Sequence, residues 1–502
     1  MLVMLLMDKS VFQRWLDNME YLHLSITELH NLLKEGKVTP KQLVDEAIAK
    51  AKADNNNCFE YVMEEEAYEF VDKLGDFDDS NPLWGIPFAI KDNFSTKDVP
   101  TCASSNILEG YVPVFSSTVY QRLIDQKAIP IGKTTLDELA MGGTGTSGHK
   151  GKTYNPWDET HKHQIGGSSC GSASCVAASI VPFSIGSDTG DSVRKPASYG
   201  GLVGMKPTWG RISRYGLLPF AASLDHVGFF TRNVEDSAIL LDVLAGRDGK
   251  DFSSSFEPVD KYEEDLLKPK GKRIAVIKEI FDSITNEEIK KTFINTLNSL
   301  KNAGFTVDFV NFDVKLLRAV YPSYIVISCA EATSNNANLD GIKFGLRESG
   351  ETYQDVTKNT RTKGFSELIK RRFVIGSFSL LRENQDVLFR RAQKARRLIV
   401  EETNRILKDY DAIYCPASPT TAPLFEKHAD KLSNEYLIAD NWLTIANFGG
   451  LPSITLPIGF SDGLPFGGNL TSSPFKEKDL FAIASCLEDI TGLKNLSKKG
   501  EE

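Results

Sequence analysis

The chain has 502 residues, a length that fits about three average domains or one large α/β core. With 41% hydrophobic and 25% charged residues, its composition excludes disordered, collagen-like and disulfide-scaffold proteins. Lys and Arg total 58 against 67 Asp and Glu, which gives a formal charge of -9. A negative net charge argues against nucleic-acid binding driven by the charge of the whole chain.

The cysteines and the N-terminus indicate the compartment. Seven cysteines are scattered along the chain without a Cys-x-x-Cys pair, which is typical of reduced thiols rather than of disulfides or a zinc site. The apolar start, Met1–Met7, is far shorter than the ~20 residues that span a bilayer. It also lacks the basic segment of a secretion signal. We therefore predict a soluble, cytoplasmic protein.

Helical and strand-like segments alternate along the chain. Ser25 and Glu28 form a capping-box pattern for a helix ending near Gly36, and Thr39-Pro40 begins a second helix that runs to about Lys52. Further segments follow: a strand at 83–92, a helix at 117–125, a strand at 128–132, a helix from about 173, a strand at 181–185, a helix at 234–245, a polar surface segment at 253–271, a strand at 273–277 and a helix at 286–302. This alternation predicts an α/β fold with a large, mostly buried sheet.

No repeat or linker divides the chain. The simplest partition is a helical N-terminal arm at 1–60, a single domain at 61–490 and a polar C-terminal tail at 491–502.

Two glycine-rich patterns match known signatures without the required context. Gly143–Gly148 fits a dinucleotide-binding pattern, but it follows a helix-like stretch at 136–141 rather than a strand, so we interpret it as a loop. Gly167–Gly171 fits a nucleophile elbow, but polar residues precede it, and His428 is the only late histidine available as a base.

Two further patterns are also set aside. Ser192 and Lys195 fit a Ser-x-x-Lys motif, but Pro196 follows directly and the companion motifs of that enzyme class are absent. His161 and His163 do not share a helix face, so we predict no metal site in this chain.

Three remaining stretches combine into a chemically competent set. Gly85–Asn93 is an apolar strand that delivers Lys91 into a loop, where burial would lower the amine pKa and make a neutral base available. The Gly/Ser runs at 166–174 and 186–196 allow backbone N–H groups to converge on an oxyanion. Serine is the hydroxyl nucleophile that such a base activates.

These stretches match a known family in order. The chain resembles the amidase signature family, with its Gly-Gly-Ser-Ser-Gly-Gly-Ser loop and its Gly-Ser-Asp-Thr-Gly-Gly-Ser-Ile-Arg-x-Pro segment, from about Leu83 to Leu470. The stretches at 210–216, 223–228, 331–335, 340–341 and 447–452 are similar to the branch of glutamine-hydrolysing subunits of tRNA-dependent amidotransferases. The resemblance implies an α/β fold whose large central mixed sheet is covered by helices on both faces.

The resemblance also implies roles for individual residues. Ser192 would be the nucleophile, Ser168, on a cis peptide bond, would relay the proton, and Lys91 would be the base. Backbone N–H groups would form the oxyanion hole, namely those of Thr189, Gly190, Asp191 and Ser192.

Glutamine recognition is implied in the same way. Arg372 would bind the substrate carboxylate, Asp440 its α-ammonium, and Tyr324 would line the pocket. Without the resemblance, Arg372 would be taken as a surface salt-bridge residue, and the remaining basic residues at 370–372 and 390–397 are interpreted as solvated helix faces.

The implied assembly is a heterotrimer in which this chain is joined by the B and C subunits of the amidotransferase. The B subunit would bind ATP, Mg²⁺ and the charged tRNA and convert Glu-tRNA(Gln), Asp-tRNA(Asn) or both with ammonia from this chain, which itself would need no cofactor. The C subunit would wrap the other two.

Two alternatives remain open. They are a free-standing amidase of the same family and a catalytically lapsed scaffold, since Asp191 and Cys170 replace family glycines and the loop at 141–147 also departs from the family pattern.

Overall fold

The structure, a computed structural model, describes residues 20–427 and 429–497. The predicted features at Met1–Met7, at His428 and at the end of the C-terminal tail lie outside these residues.

The helices are α1 Ile26–Lys34, α2 Pro40–Lys52, α3 Glu64–Asp72, α4 Thr118–Asp125, α5 Cys170–Ala177, α6 Arg194–Gly200, α7 Val234–Leu244, α8 Lys278–Asp282, α9 Glu287–Asn302, α10 Val314–Asn335, α11 Tyr353–Gly364, α12 Glu367–Leu380, α13 Phe389–Leu407, α14 Thr444–Gly449 and α15 Glu477–Thr491. The strands are β1 Phe59–Val62, β2 Pro87–Lys91, β3 Ile129–Thr134, β4 Phe183–Asp188, β5 Val203–Lys206, β6 His226–Thr231, β7 Arg273–Ile277, β8 Thr306–Val310, β9 Ala412–Pro416, β10 Ser453–Ser461 and β11 Leu464–Thr471.

All eleven strands of the described residues join one mixed sheet. Their order is β1-β3-β2-β4-β6-β5-β10-β11-β9-β7-β8. β2 pairs in parallel with both β3 and β4, while β6 is antiparallel to β4. Every position of β2, β3, β4 and β6 is buried, so both faces of the sheet centre are covered. The predicted α/β fold is confirmed.

The strand directions bring distant segments to one edge of the sheet. Because β3, β2 and β4 are parallel, their carboxyl ends lie side by side. Lys91 closes β2, and Asp188 closes β4 opposite His226, the first residue of β6. The loops that follow Thr134, Lys91 and Asp188 therefore meet, although the chain separates them widely.

The first described helices belong to the main core. The predicted capping box forms at Ser25 with Glu28, and a second one forms at Thr39 with Gln42, where the second helix is predicted to begin. Leu29 and Leu43 are fully buried in the same hydrophobic cluster as the sheet. Buried Arg232 donates to the carbonyls of Leu22 and Leu24, at 2.7 Å each. The division into an arm, a domain and a tail stays a prediction.

Most predicted elements are confirmed, but two details are wrong. The helix-like stretch at 136–141 contains only a short 3-10 turn, Glu138–Ala140, because Leu139 adopts a left-handed φ of 52°. Arg396, assigned to a solvated helix face, instead donates to the Phe448 carbonyl and to Ser223 at 2.9–3.1 Å. Its side chain ties α13 to the loop before β6.

Two global features follow from the described residues. No helix among them combines the length and apolar character needed to cross a membrane. The seven cysteines are all free thiols, as their spacing predicts.

Candidate active site

Lys91 lies in a cage of hydroxyl groups at the end of β2. Its side chain is 0% exposed. The amine nitrogen is 2.8 Å from Oγ of Ser168, 2.9 Å from Oγ of Ser169 and 3.0 Å from Oγ of Ser187. Since no carboxylate is among these contacts, nothing adjacent neutralises an ammonium at this position.

Burial makes Lys91 a base at neutral pH. Removal from water disfavours the charged form and lowers the pKa of Lys91 to about 7, against the opposite effect of Cys170 and of acidic groups nearby. A neutral amine has two N–H donors and one lone pair. Ser169 and Ser187 can accept the two N–H bonds, which leaves the lone pair for the hydroxyl of Ser168.

The two serines of the first Gly/Ser run are not equivalent. The Gly167–Ser168 peptide bond is cis. Ser169 donates its hydroxyl proton to the Ser187 carbonyl at 3.0 Å, so that proton is already engaged. The hydroxyl of Ser168 contacts Lys91 without such a bond to a carbonyl.

Ser192 lies on the loop between β4 and α6, next to this cage. Its side chain is buried, and its carbonyl accepts a hydrogen bond from the backbone N–H of Ser169 at 3.3 Å. The side-chain contacts of Lys91 do not include Ser192. Lys91 and Ser168 are therefore joined directly, whereas Ser192 is brought to them through the backbone.

The same loop presents backbone donors. The N–H groups of Thr189, Gly190, Asp191 and Ser192 have no hydrogen-bond acceptor among the residues that the structure describes. The Thr189 hydroxyl donates to Asp225 at 2.7 Å, and Asp225 is itself held by the N–H groups of Phe220 and Ala221. Asp225 thus anchors the loop through Thr189, while the four backbone N–H groups remain available to bind an oxyanion.

A buried ion pair fixes the ends of this loop. Arg194 donates to both carboxylate oxygens of Asp188, at 2.9 and 3.1 Å, and to the Gly190 carbonyl at 2.9 Å. Asn447 joins it through its side-chain oxygen, 2.7 Å from Arg194, and through its amide nitrogen, 2.9 Å from Asp188. Although burial alone would raise it, Arg194 holds the pKa of Asp188 well below its ordinary value. This network sets the loop geometry.

Asp191, which replaces a family glycine, has its carboxylate engaged by a lysine. It forms an ion pair with Lys195 at 2.9 Å, and its φ is not in the left-handed region. Lys195 also contacts Asp440, at 3.1 Å to the carboxylate and 2.6 Å to the carbonyl. Lys195 is therefore engaged by two acids, which agrees with setting aside the Ser-x-x-Lys pattern.

The glycine pattern at 143–148 wraps an internal anion. Asp137 accepts backbone N–H bonds from Thr144, Gly145, Thr146 and Ser147 at 3.0–3.1 Å. Its own N–H donates to the Ser168 carbonyl at 3.1 Å. A Cβ at position 167 would lie 2.1 Å from the Asp137 carboxylate, so only glycine fits there. The loop supports Ser168, and its anion site is filled by the protein.

Tyr324 lies against the loop at 189–192, and Arg372 is close to Tyr324. A Cβ at position 190 would lie 3.1 Å from Cζ of Tyr324, which places this ring directly against Gly190. Nε and Nη1 of Arg372 are buried and have no hydrogen-bond partner among the described residues. The guanidinium also interacts with Cys329 and lies 5.7 Å from the centre of the Phe220 ring. Its two unpaired nitrogens can bind an external carboxylate.

Several supporting residues were missed from the sequence. Ser169 and Ser187 complete the Lys91 cage, while Asp137 and Asp225 brace the loops. Asp188 and Arg194 belong to the Gly/Ser run at 186–196 and stand on either side of Ser192. This placement could have identified them as supporting residues. Nothing local in the sequence marks Asp137.

Comparisons with known proteins identify the family of this chain. The sequence model of the family described as Amidase matches residues 42–481. The A subunit of glutamyl-tRNA(Gln) amidotransferase from Listeria welshimeri is 39% identical over 476 residues, covering 93% of this chain and 97% of that protein. Its counterpart in Staphylococcus epidermidis is 40% identical over 473 residues, covering 92% and 96%.

A solved structure is similar along nearly its whole length. The crystal structure of the A subunit of glutamyl-tRNA(Gln) amidotransferase from Thermotoga maritima superposes with a TM-score of 0.76 at 34% identity, covering 94% of this chain and 96% of that one.

Proposed function

The chain belongs to the amidase family, and from that premise we propose that it hydrolyses glutamine as one component of a tRNA-dependent amidotransferase. The observation that carries the proposal is the buried Lys91 amine, 2.8 Å from Ser168 and beside a loop of free amides. The names of the relatives at 39–40% identity support the choice of substrate.

In the proposed reaction, Ser192 attacks the side-chain amide carbon of glutamine. Its proton passes to Ser168, whose own proton passes to the neutral amine of Lys91. The resulting oxyanion is stabilised by the N–H groups of the loop at 189–192; losing one such donor typically costs about 2.7–4 kcal/mol. The C–N bond then breaks as the proton returns through Ser168 to nitrogen, and ammonia leaves. Water hydrolyses the glutamyl ester on Ser192 by the same route and releases glutamate.

The assignment of Ser168 as the relay has a structural reason. Ser168 and Ser169 are equally close to Lys91, but the Ser169 proton is committed to the Ser187 carbonyl. Of these two serines, Ser168 can donate to the Lys91 lone pair without breaking that bond.

Two charged residues would orient glutamine. Nε and Nη1 of Arg372 would bind the α-carboxylate, and Asp440 would bind the α-ammonium. Tyr324, against Gly190, would line the path between them.

The remaining steps are assigned to partners. With a charge of -9, this chain is poorly suited to hold tRNA by itself. We assign ATP, Mg²⁺ and the charged tRNA to the B subunit and a bracing role to the C subunit, in a cytoplasmic heterotrimer. The B subunit would use the released ammonia to amidate Glu-tRNA(Gln), Asp-tRNA(Asn) or both.

Reconstitution with the B and C subunits from the same genome tests this function. We expect glutamine- and ATP-dependent amidation of Glu-tRNA(Gln) or Asp-tRNA(Asn). The Ser192→Ala complex should lose activity with glutamine, by a factor of at least about 10³. It should keep activity with ammonium chloride, because free ammonia bypasses this chain.

Two results would contradict the proposal. Efficient hydrolysis of simple amides by the chain alone, without response to partners, would indicate a free-standing amidase. A wild-type complex that amidates tRNA with ammonium chloride but not with glutamine would indicate a catalytically lapsed scaffold.

The protonation state of Lys91 predicts a pH dependence. The base is active only when neutral, and its pKa is about 7, so kcat/KM for glutamine should rise with pH and reach half its maximum near pH 7. Initial rates between about pH 5.5 and 8.5 measure this, with Lys91→Met as the inactive reference. A flat profile over this range would argue against Lys91 as the base.

Arg372 and its neighbour Arg371 offer a matched comparison on α12. Arg372→Met should raise KM for glutamine by at least about tenfold, because the substrate carboxylate would then be desolvated without a partner. Arg371 is exposed, and Arg371→Met should leave KM unchanged. Steady-state kinetics of the assembled complex checks both variants, and equal KM values would rule out Arg372 as the carboxylate site.

A further inference from the structure

Lys195 lies between two carboxylates at the edge of the candidate pocket. Its amine is 2.9 Å from Asp191 and 3.1 Å from Asp440. The lysine side chain is 8% exposed, whereas Asp191 and Asp440 keep 19% and 24%. The lysine is thus enclosed, and both acids retain a face that a ligand can reach.

This arrangement changes the proposed ammonium site. Asp440 already carries a protein cation, so Asp440 and Lys195 alone would be a neutral pair with little attraction for a second ammonium. Asp191 supplies another carboxylate, and the three residues in their ionised forms carry a net charge of about -1. Burial raises the pKa of Asp191, and the contact with Lys195 opposes that shift. The nearby Asp188 does not add to this balance, because Arg194 pairs with it.

The position of Asp191 suits this role. Residues 191 and 195 are one helical turn apart, and the N–H of Lys195 donates to the Asp191 carbonyl at 2.9 Å. Burial would lower the pKa of Lys195, but the two acids raise it well above the ordinary value, so the lysine stays charged.

We propose that Asp191 and Lys195 are specificity-determining residues that, together with Asp440, form a shared-cation subsite for the α-ammonium of the substrate. Two carboxylates hold one lysine in the free protein, and the substrate ammonium becomes their second cation. While the ammonium binds Asp440, Lys195 remains paired with Asp191. The inference rests on the proposed function, since it assumes an amide substrate with an α-ammonium group.

Two substrates that differ only in this group provide the test. Glutaramate is glutamine without its α-ammonium, and hydrolysis of both amides is measured in the assembled complex. In Asp191→Asn, KM for glutamine should rise about tenfold, because the subsite becomes neutral. KM for glutaramate should change less than KM for glutamine, because glutaramate lacks the α-ammonium group. The preference for glutamine over glutaramate should therefore fall about tenfold.

The double variant Asp191→Asn/Lys195→Gln should restore the preference, because Asp440 alone then carries the single negative charge. The double variant removes both members of the ion pair. The preference can therefore still be measured in the double variant if Asp191→Asn alone unfolds. The control is Asp386→Asn, the same substitution in an exposed i,i+4 pair with Arg390, and it should leave the preference unchanged.

Three outcomes would overturn the inference. The first is an unchanged preference in Asp191→Asn. The second is an equal loss of kcat for both amides, which would place Asp191 with the oxyanion loop only. The third is a wild-type complex that hydrolyses neither amide, which would overturn the proposed function itself and this inference with it.

Discussion

The candidate site depends on keeping one lysine out of water. Lys91 is enclosed at the end of a central strand by three serine hydroxyls and contacts no carboxylate, so burial lowers the pKa of its amine to about 7. A carboxylate in direct contact would restore the charge and remove the lone pair. The two Gly/Ser loops are therefore more than flexible connections, since they supply the neutral hydrogen-bond partners that a lysine base requires.

Buried charges elsewhere in the site are paired and serve to hold loops. Asp188 and Arg194 fix the loop that carries Ser192, and Asp137 fills the loop behind Ser168. Removing one partner of such a pair leaves an uncompensated buried charge, typically at a cost of about 3–5 kcal/mol. Arg372 differs from these pairs, because two buried nitrogens of its guanidinium have no hydrogen-bond partner among the described residues and can receive an anion from outside.

The alternation of helices and strands was enough to predict the fold class, and both N-terminal capping boxes formed where the sequence places them. Lys91 could be predicted to be buried because an apolar strand carries it. Contacts between distant segments could not be predicted, since Lys195 and Asp440 meet only through the topology. The helix-like pattern at 136–141 does not form a regular helix, because the left-handed backbone of Leu139 interrupts it.

The pKa of the Lys91 amine tests the account most directly. Protein carrying ¹³C-labelled lysine side chains can be titrated by NMR, and the Lys91→Met variant identifies the signal of this residue. We predict a titration midpoint of the Lys91 signal near pH 7. A midpoint close to the ordinary lysine value of about 10.4 would contradict it, because an ammonium in the cage could not accept the proton of a serine.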